Sequence, residues 1–211
     1  MSLVIGIDFD NTIINYDDVI YDAALRYGLI SVDTPKNKKL IRDRIRSLAS
    51  GEEHWMRLQA DVYGLRIGEA RLSEGVSDFF YLCKVKNVKT YIVSHKTQYA
   101  KYDEDGIDLR VASLEWMEAN NFFDAQGLNL SSENVYFEST RQEKIQTIEK
   151  LGCTHFIDDL EEVFRESSFP EGMVKMLYSP TPSITVSLGW KVFTNWQEIT
   201  KYFFDGEDAR K

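Results

Sequence analysis

Three apolar runs in this chain end abruptly in groups that can do chemistry. Leu3-Val4-Ile5-Gly6-Ile7 leads into Asp8-Phe9-Asp10-Asn11-Thr12, Tyr91-Ile92-Val93 leads into Ser94, and Phe156-Ile157 leads into Asp158-Asp159. Side chains two apart in an extended segment lie on one face, so Asp8 and Asp10 can address the same small volume. Two carboxylates held so close repel each other, and a bound Mg²⁺, which prefers oxygen ligands, is the usual remedy. Taken singly, each group also has an ordinary role. Aspartate, threonine and serine are common turn and cap residues, so Ser94 can simply start a turn. Lys144, near the start of a helical stretch, reads by itself as solvated surface. Asp158-Asp159 is the stronger signal, because adjacent carboxylates directly after a buried strand call for a reason.

These groups can meet only if the strands before them share an edge. Residues 3–7 are short, apolar and rich in β-branched side chains, which suits a strand buried on both faces of a parallel sheet. Beyond Gly75 helices and strands alternate. The patterns predict helices over 76–85, 109–120, 141–151 and 196–204, with strands over 88–93, 135–137, 155–157, 173–177 and 191–193. Strands separated by helices predict an α/β fold, a doubly wound, Rossmann-like parallel sheet. In such a sheet every strand ends along one edge, where ligands bind.

The stretch between is different. Asp17 can cap a helix carrying Val19, Ile20, Ala23 and Ala24 that stops near Gly28, and Thr34-Pro35 suits the start of a second helix. A third runs over 52–63 with Trp55, Met56, Gln59, Ala60 and Tyr63 at helical spacing, and no strand is expected here. The organisation expected is a core of residues 1–16 and 73–211, with a small all-helical cap of residues 17–72 inserted after the first strand. Residues 205–211 read as a frayed tail.

Composition narrows the function. The 211 residues carry 34 acidic against 25 basic side chains, a net charge of −9, and are 43% hydrophobic. That is enough apolar material for a core without disulfides or structural metal. An acidic surface is a poor match for a nucleic-acid polymer. Cys83 and Cys153, each in an apolar or helical stretch, read as buried free thiols. The start of the chain has no basic region or cleavage site of the secretory kind, and no apolar run approaches the ~20 residues of a membrane span. A cytoplasmic protein with no membrane partner is expected; monomer and homodimer are equally open.

Taken together and in this order, the polar groups resemble the motifs of the haloacid dehalogenase (HAD)-like hydrolase superfamily, in its phosphatase branch. Ile7-Asp8-Phe9-Asp10-Asn11-Thr12 is similar to the first motif and Ile92-Val93-Ser94 to the second. Lys144 in Arg141-Gln142-Glu143-Lys144-Ile145 is similar to the third, and Phe156-Ile157-Asp158-Asp159 to the fourth. The likeness covers residues 3–16 and about 74–200, with Asn11 standing where a glycine is frequent. It implies that Asp8 is a nucleophile that becomes phosphorylated, and that Asp10 is the general acid and base. Thr12, Ser94 and Lys144 would hold the phosphoryl oxygens. Mg²⁺ would be bound by Asp8, the Asp10 backbone carbonyl and Asp158, with Asp159 orienting Lys144 or a metal-bound water from behind.

An acid at position 10 favours phosphatase or phosphomutase chemistry within that superfamily, because a departing halide needs no proton. The expected substrate is a small phosphorylated metabolite, whether a sugar phosphate, a nucleoside monophosphate or an amino-sugar phosphate. A phosphotransferase and a catalytically silent phosphate-binding module are the alternatives. A receiver-type signalling domain uses the same residue types, but in a different chain order. In the superfamily the cap reads the substrate, so His54 and Arg57 are candidate contacts, beside Trp55, which also reads as core. His95 and Lys96, directly after Ser94, are candidates too, and the loop at 98–108 is a candidate rim.

Overall fold

The computed structural model describes residues 2–103, 106–180 and 189–205. The tail at 206–211 lies outside the described residues, as do Glu104 and Asp105 of the candidate rim loop.

The first apolar run forms β1 (Val4–Ile7), with all four residues buried. Five more strands join it: β4 (Lys89–His95), β5 (Val135–Glu138), β6 (His155–Asp158), β7 (Val174–Tyr178) and β8 (Lys191–Phe193). The sheet order is β5-β4-β1-β6-β7-β8, and all five pairings are parallel. Counted by appearance along the chain, the order is 3-2-1-4-5-6, that of the doubly wound dinucleotide-binding sheets. The winding reverses between β1 and β6, so a ligand crevice is expected at the carboxyl ends of those two strands. Asp8 follows the one and Asp158 ends the other.

The helices of this unit follow the expected positions: α4 (Val76–Val85), α6 (Arg141–Lys150) and α8 (Trp196–Phe204), with a short α7 (Glu161–Arg165) that the sequence pattern did not announce. Aromatic rings fill much of the interior. Phe79 of α4 meets Trp196 and Phe203 of α8 at 5.1 and 5.9 Å, and Phe164 meets Phe169 and Trp190 at 5.4 and 5.7 Å. Cys83 and Cys153 are buried free thiols, and burial pushes them up to about 12 and about 11.

Gly6 sits at the centre of this packing. It pairs in register with Phe156, and a methyl group in its place would lie 2.6 Å from the Phe156 ring and 3.0 Å from the Cys153 sulfur. Both neighbours are themselves core residues, so neither can retreat without opening a gap elsewhere. Gly6→Ala is expected to cost about 1–3 kcal/mol of overpacking. Urea denaturation measures it, and an unchanged midpoint would mean that β6 shifts freely.

The described residues divide into two compact units. The first comprises Met1–Ile13, Leu72–His95 and Asn121–Lys211, and the second Ile14–Arg71 with Lys96–Asn120. The second unit contains α1 (Asp17–Arg26), α2 (Lys38–Arg46), α3 (Gly51–Tyr63), a 3₁₀ turn at Ile67–Glu69 and α5 (Leu109–Ala119). α5 buries Leu109, Ala112, Trp116 and Met117, and the Trp116 indole donates to the Ala70 carbonyl at 3.1 Å. α2 starts later than Thr34-Pro35 suggests, because the Asn37 side chain caps it by accepting from the Leu40 N–H. Ile41 and Ile45 of α2 are buried, whereas Leu40, and Leu48 just beyond the helix, are exposed. Two very short strands, β2 (Ile14–Asn15) and β3 (Arg71–Leu72), pair with each other. Their backbone pairing was not expected from the sequence. Among the described residues no helix is long and apolar enough to cross a membrane.

Candidate active site

The motif loop after β1 is held from three sides. The Asp8 N–H continues the sheet by donating to the Ile157 carbonyl at 2.8 Å, and the Ile13 N–H closes the turn onto the Phe9 carbonyl at 3.0 Å. Asn11 adopts a left-handed conformation at φ 62°. Glycine adopts such a φ without strain and asparagine better than most residues, which accounts for asparagine at a position where glycine is frequent. The Trp196 indole of α8 donates to the Thr12 carbonyl at 3.1 Å, fully buried. Nothing in the sequence marks Trp196 for this role. Trp196→Phe removes the N–H donor together with one ring of the indole, leaving that carbonyl unpaired at an expected cost of about 1–3 kcal/mol, with the gap left in the core adding to it. Chemical denaturation checks it, and an unchanged midpoint would show that another donor replaces the indole.

Asp8 is the centre of the site. Its Oδ1 accepts from Ser94 Oγ at 3.0 Å and from Lys144 Nζ at 2.6 Å. The same lysine donates to Asp158 Oδ2 at 2.6 Å, and Asp158 Oδ1 accepts from the Leu160 N–H at 2.9 Å. All four side chains are buried, Lys144 being 1% and Asp158 0% exposed. Lys144 is delivered by the first turn of α6, which a reciprocal cap fixes: Thr140 accepts from the Glu143 N–H, and Glu143 accepts from the Thr140 N–H. Capping of this kind stiffens the helix start and, with it, the lysine one residue on.

Burial alone would lower the Lys144 pKa, but the charges of Asp158 and Asp8 outweigh it and hold the ammonium above its ordinary range. Burial pushes the Asp158 carboxyl up, the Lys144 ammonium opposes that, and the charge on Asp8 adds to it. These are two sides of one fact. A single cation lies between two carboxylates, so the lysine stays charged while the carboxylates remain under-compensated.

Asp159 belongs to the same group: carboxylate oxygens of Asp8, Asp158 and Asp159 lie within 4.8 Å of one another. Three carboxylates against the Lys144 ammonium leave two negative charges, which a divalent cation would neutralise. An all-oxygen donor set suits Mg²⁺, so these residues fit the ion that the sequence motifs imply. Asp10 is half-buried just beyond β1 and is not part of this carboxylate group. Thr12 is fully buried, and its hydroxyl has no hydrogen-bond partner among the described residues.

The remaining candidates lie apart in kind. His95 is exposed, and its Nε2 is 3.1 Å from the Ser139 carbonyl. Lys96 is buried, with its ammonium 5.4 Å from the centre of the Tyr63 ring. His54 and Arg57 line a cavity of about 430 Å³ in the second unit, together with Tyr27, Asp61 and Tyr102. Trp55 is core, at 2% exposure.

The fold is α/β, and this acidic group lies at the carboxyl edge of its parallel sheet. No protein-family model matches the sequence, and none of the curated proteins matches it. Solved structures do, several of them hydrolases of the haloacid dehalogenase superfamily. One from Ehrlichia chaffeensis is 13% identical over 97% of this chain and 98% of its own, with a TM-score of 0.56. A haloacid dehalogenase-like hydrolase from Streptococcus pneumoniae is 14% identical over 96% and 98%, with a TM-score of 0.59. Another from Deinococcus radiodurans, solved with bound phosphate and sodium, is 12% identical over 97% and 96%, also at 0.59. At such identities the likeness is one of fold.

Proposed function

We propose that this chain is a Mg²⁺-dependent phosphatase of small phosphorylated metabolites, working in the cytoplasm through an aspartyl-phosphate on Asp8. One observation carries the reading: a buried Asp8 at the sheet switch point, held by Ser94 and Lys144 and grouped with Asp158 and Asp159. The superfamily fold of the similar structures supports the reaction class.

With Oδ1 engaged by two donors, Oδ2 of Asp8 is the attacking atom. It bonds to phosphorus as the ester oxygen leaves, and Asp10 gives that oxygen its proton. Asp10 then takes a proton from water as the water oxygen attacks the same phosphorus, releasing inorganic phosphate and restoring the Asp8 carboxylate. Ser94, Lys144 and Thr12, whose buried hydroxyl has no hydrogen-bond partner among the described residues, stabilise the charge that gathers on the phosphoryl oxygens. Asp8, Asp158, Asp159 and the Asp10 carbonyl would hold Mg²⁺, which supplies charge neutralisation and in-line orientation when bound.

A second reading, a phosphomutase or phosphotransferase, has one observation in its favour. A structure described as a putative β-phosphoglucomutase from Thermotoga maritima is 14% identical over 96% of this chain and 99% of its own, with a TM-score of 0.56. Phosphate release across a panel of sugar phosphates, nucleoside monophosphates and an aryl phosphate, with and without Mg²⁺, separates the readings. A phosphatase turns over and needs the ion. A mutase hydrolyses slowly and accumulates phosphoenzyme. A protein inert on all of them under both conditions would be a silent binding module.

A further inference from the structure

The cavity that His54 and Arg57 share draws its whole lining from the second unit, and none of the groups around Asp8 contributes to it. At about 430 Å³ it has the size of a small-molecule pocket. Its walls combine the apolar surface of Leu29, Leu58, Ala60 and Leu65 with the polar groups of Tyr27, His54, Arg57, Asp61, Tyr102 and Asp103. The Arg57 guanidinium lies over the Tyr102 ring, 5.2 Å from its centre, a cation–aromatic pair. Tyr27 and Leu65, also in the lining, are 52% and 63% exposed. Apolar area left in water around a concavity is what a ligand covers.

The polar groups define what fits. Asp61 accepts from the Tyr27 hydroxyl at 2.9 Å through Oδ2. A carboxylate offers about four acceptor positions, so Asp61 keeps capacity for donors on a ligand. The charge of Arg57 is met by Glu53 at 3.1 Å, while Asp61 and Asp103 bring negative charge to the same walls. An anion would meet those carboxylates. A neutral flat ring with N–H donors would find aromatic and leucine faces above it and an acceptor at its edge.

We propose that this cavity binds a planar nitrogen heterocycle bearing adjacent N–H donors, as a site separate in its residues from the phosphoryl chemistry. Guanosine is the probe, since its ring presents two neighbouring N–H groups that match one carboxylate. The experiment is calorimetric titration of the full chain with guanosine, inosine and guanosine monophosphate, without Mg²⁺, alongside ¹⁵N-resolved spectra. Guanosine should bind saturably and perturb residues of the second unit. Inosine, lacking the exocyclic amine, should bind about tenfold weaker or worse, and the monophosphate should also bind more weakly. Asp61→Asn, which keeps an acceptor for Tyr27, and Leu65→Ala, at an exposed position, should each weaken guanosine by about tenfold. Addition of inorganic phosphate should change nothing. The proposal is overturned by no saturable binding at millimolar guanosine, by binding indifferent to both variants, or by displacement with phosphate. None of these outcomes bears on the role of Asp8, which the phosphate-release panel decides separately.

Discussion

Asp8→Asn is expected to abolish phosphate release, by about 10⁴-fold or more, because the amide cannot form the phosphorylated intermediate. The fold should survive. Asparagine is nearly isosteric, and its carbonyl oxygen can still accept from Ser94 and Lys144, the two donors that hold Asp8 now. Stability should be equal to the parent or higher, since the substitution removes one negative charge from a buried group in which carboxylates outnumber the Lys144 ammonium. Mg²⁺ affinity should fall with the loss of one charged ligand. The pattern of lost turnover with retained melting temperature distinguishes a nucleophile from a structural carboxylate. The measurements are a coupled phosphate-release assay, thermal melting, and a search for acid-stable, hydroxylamine-labile label after incubation with radiolabelled substrate. Turnover near the parental rate would remove Asp8 from the chemistry.

That Asp8, Ser94, Lys144 and Asp158 meet could be anticipated from the sequence for a topological reason. Each strand residue ends a short β-branched or apolar run, and parallel strands deliver their carboxyl ends to one edge whatever the order of strands. The pattern did not need to say which strands are neighbours. Lys144 became legible only through motif order, because a lysine one turn into a helix looks like surface; its burial depends on α6 lying close beside β4 and β5. The capping box that aims it, Thr140 with Glu143, was written in the sequence as Thr-x-x-Glu.

Other features left weaker traces. β2 and β3 have two residues each, too few for an alternating pattern to show in the sequence. The start of α2 was hidden by Thr34-Pro35, a plausible cap, while the actual cap, Asn37, lies two residues beyond the proline. The cavity in the second unit was half visible. His54 and Arg57 stood out as polar groups on a helix, but Tyr102 comes from a segment some 45 residues farther on, and only tertiary packing brings its ring to Arg57. Trp196 could be read as a core residue of an amphipathic helix; that its indole N–H serves the Thr12 carbonyl follows from a contact across 184 positions.

The largest effect on stability is expected from Lys144→Met. The methionine side chain approximates the lysine stem but carries no charge, so Asp8 and Asp158, each 2.6 Å from the ammonium in the parent, would be left buried without their cation. Removing one partner of a buried ionic cluster typically costs about 3–5 kcal/mol, and urea denaturation should register a loss of that order at neutral pH. The deficit should shrink on acidification. Burial already raises the Asp158 carboxyl above its ordinary value, and loss of the ammonium raises it further. An acid whose pKa is higher folded than unfolded takes up protons on folding as pH falls, so the variant gains stability relative to neutral pH as the solution becomes acidic. Divalent cations should help by the same logic. Mg²⁺ supplies the missing positive charge to Asp8, Asp158 and Asp159, so the variant should be stabilised by the ion and lose that gain with a chelator. Turnover should nonetheless stay low, by about 10²–10³-fold, because the ammonium also neutralises the transferring phosphoryl group. A Lys144→Met protein as stable as the parent at neutral pH without metal would mean that the two carboxylates are not charged together. The electrostatic argument for a divalent ion at this site would then fail with it.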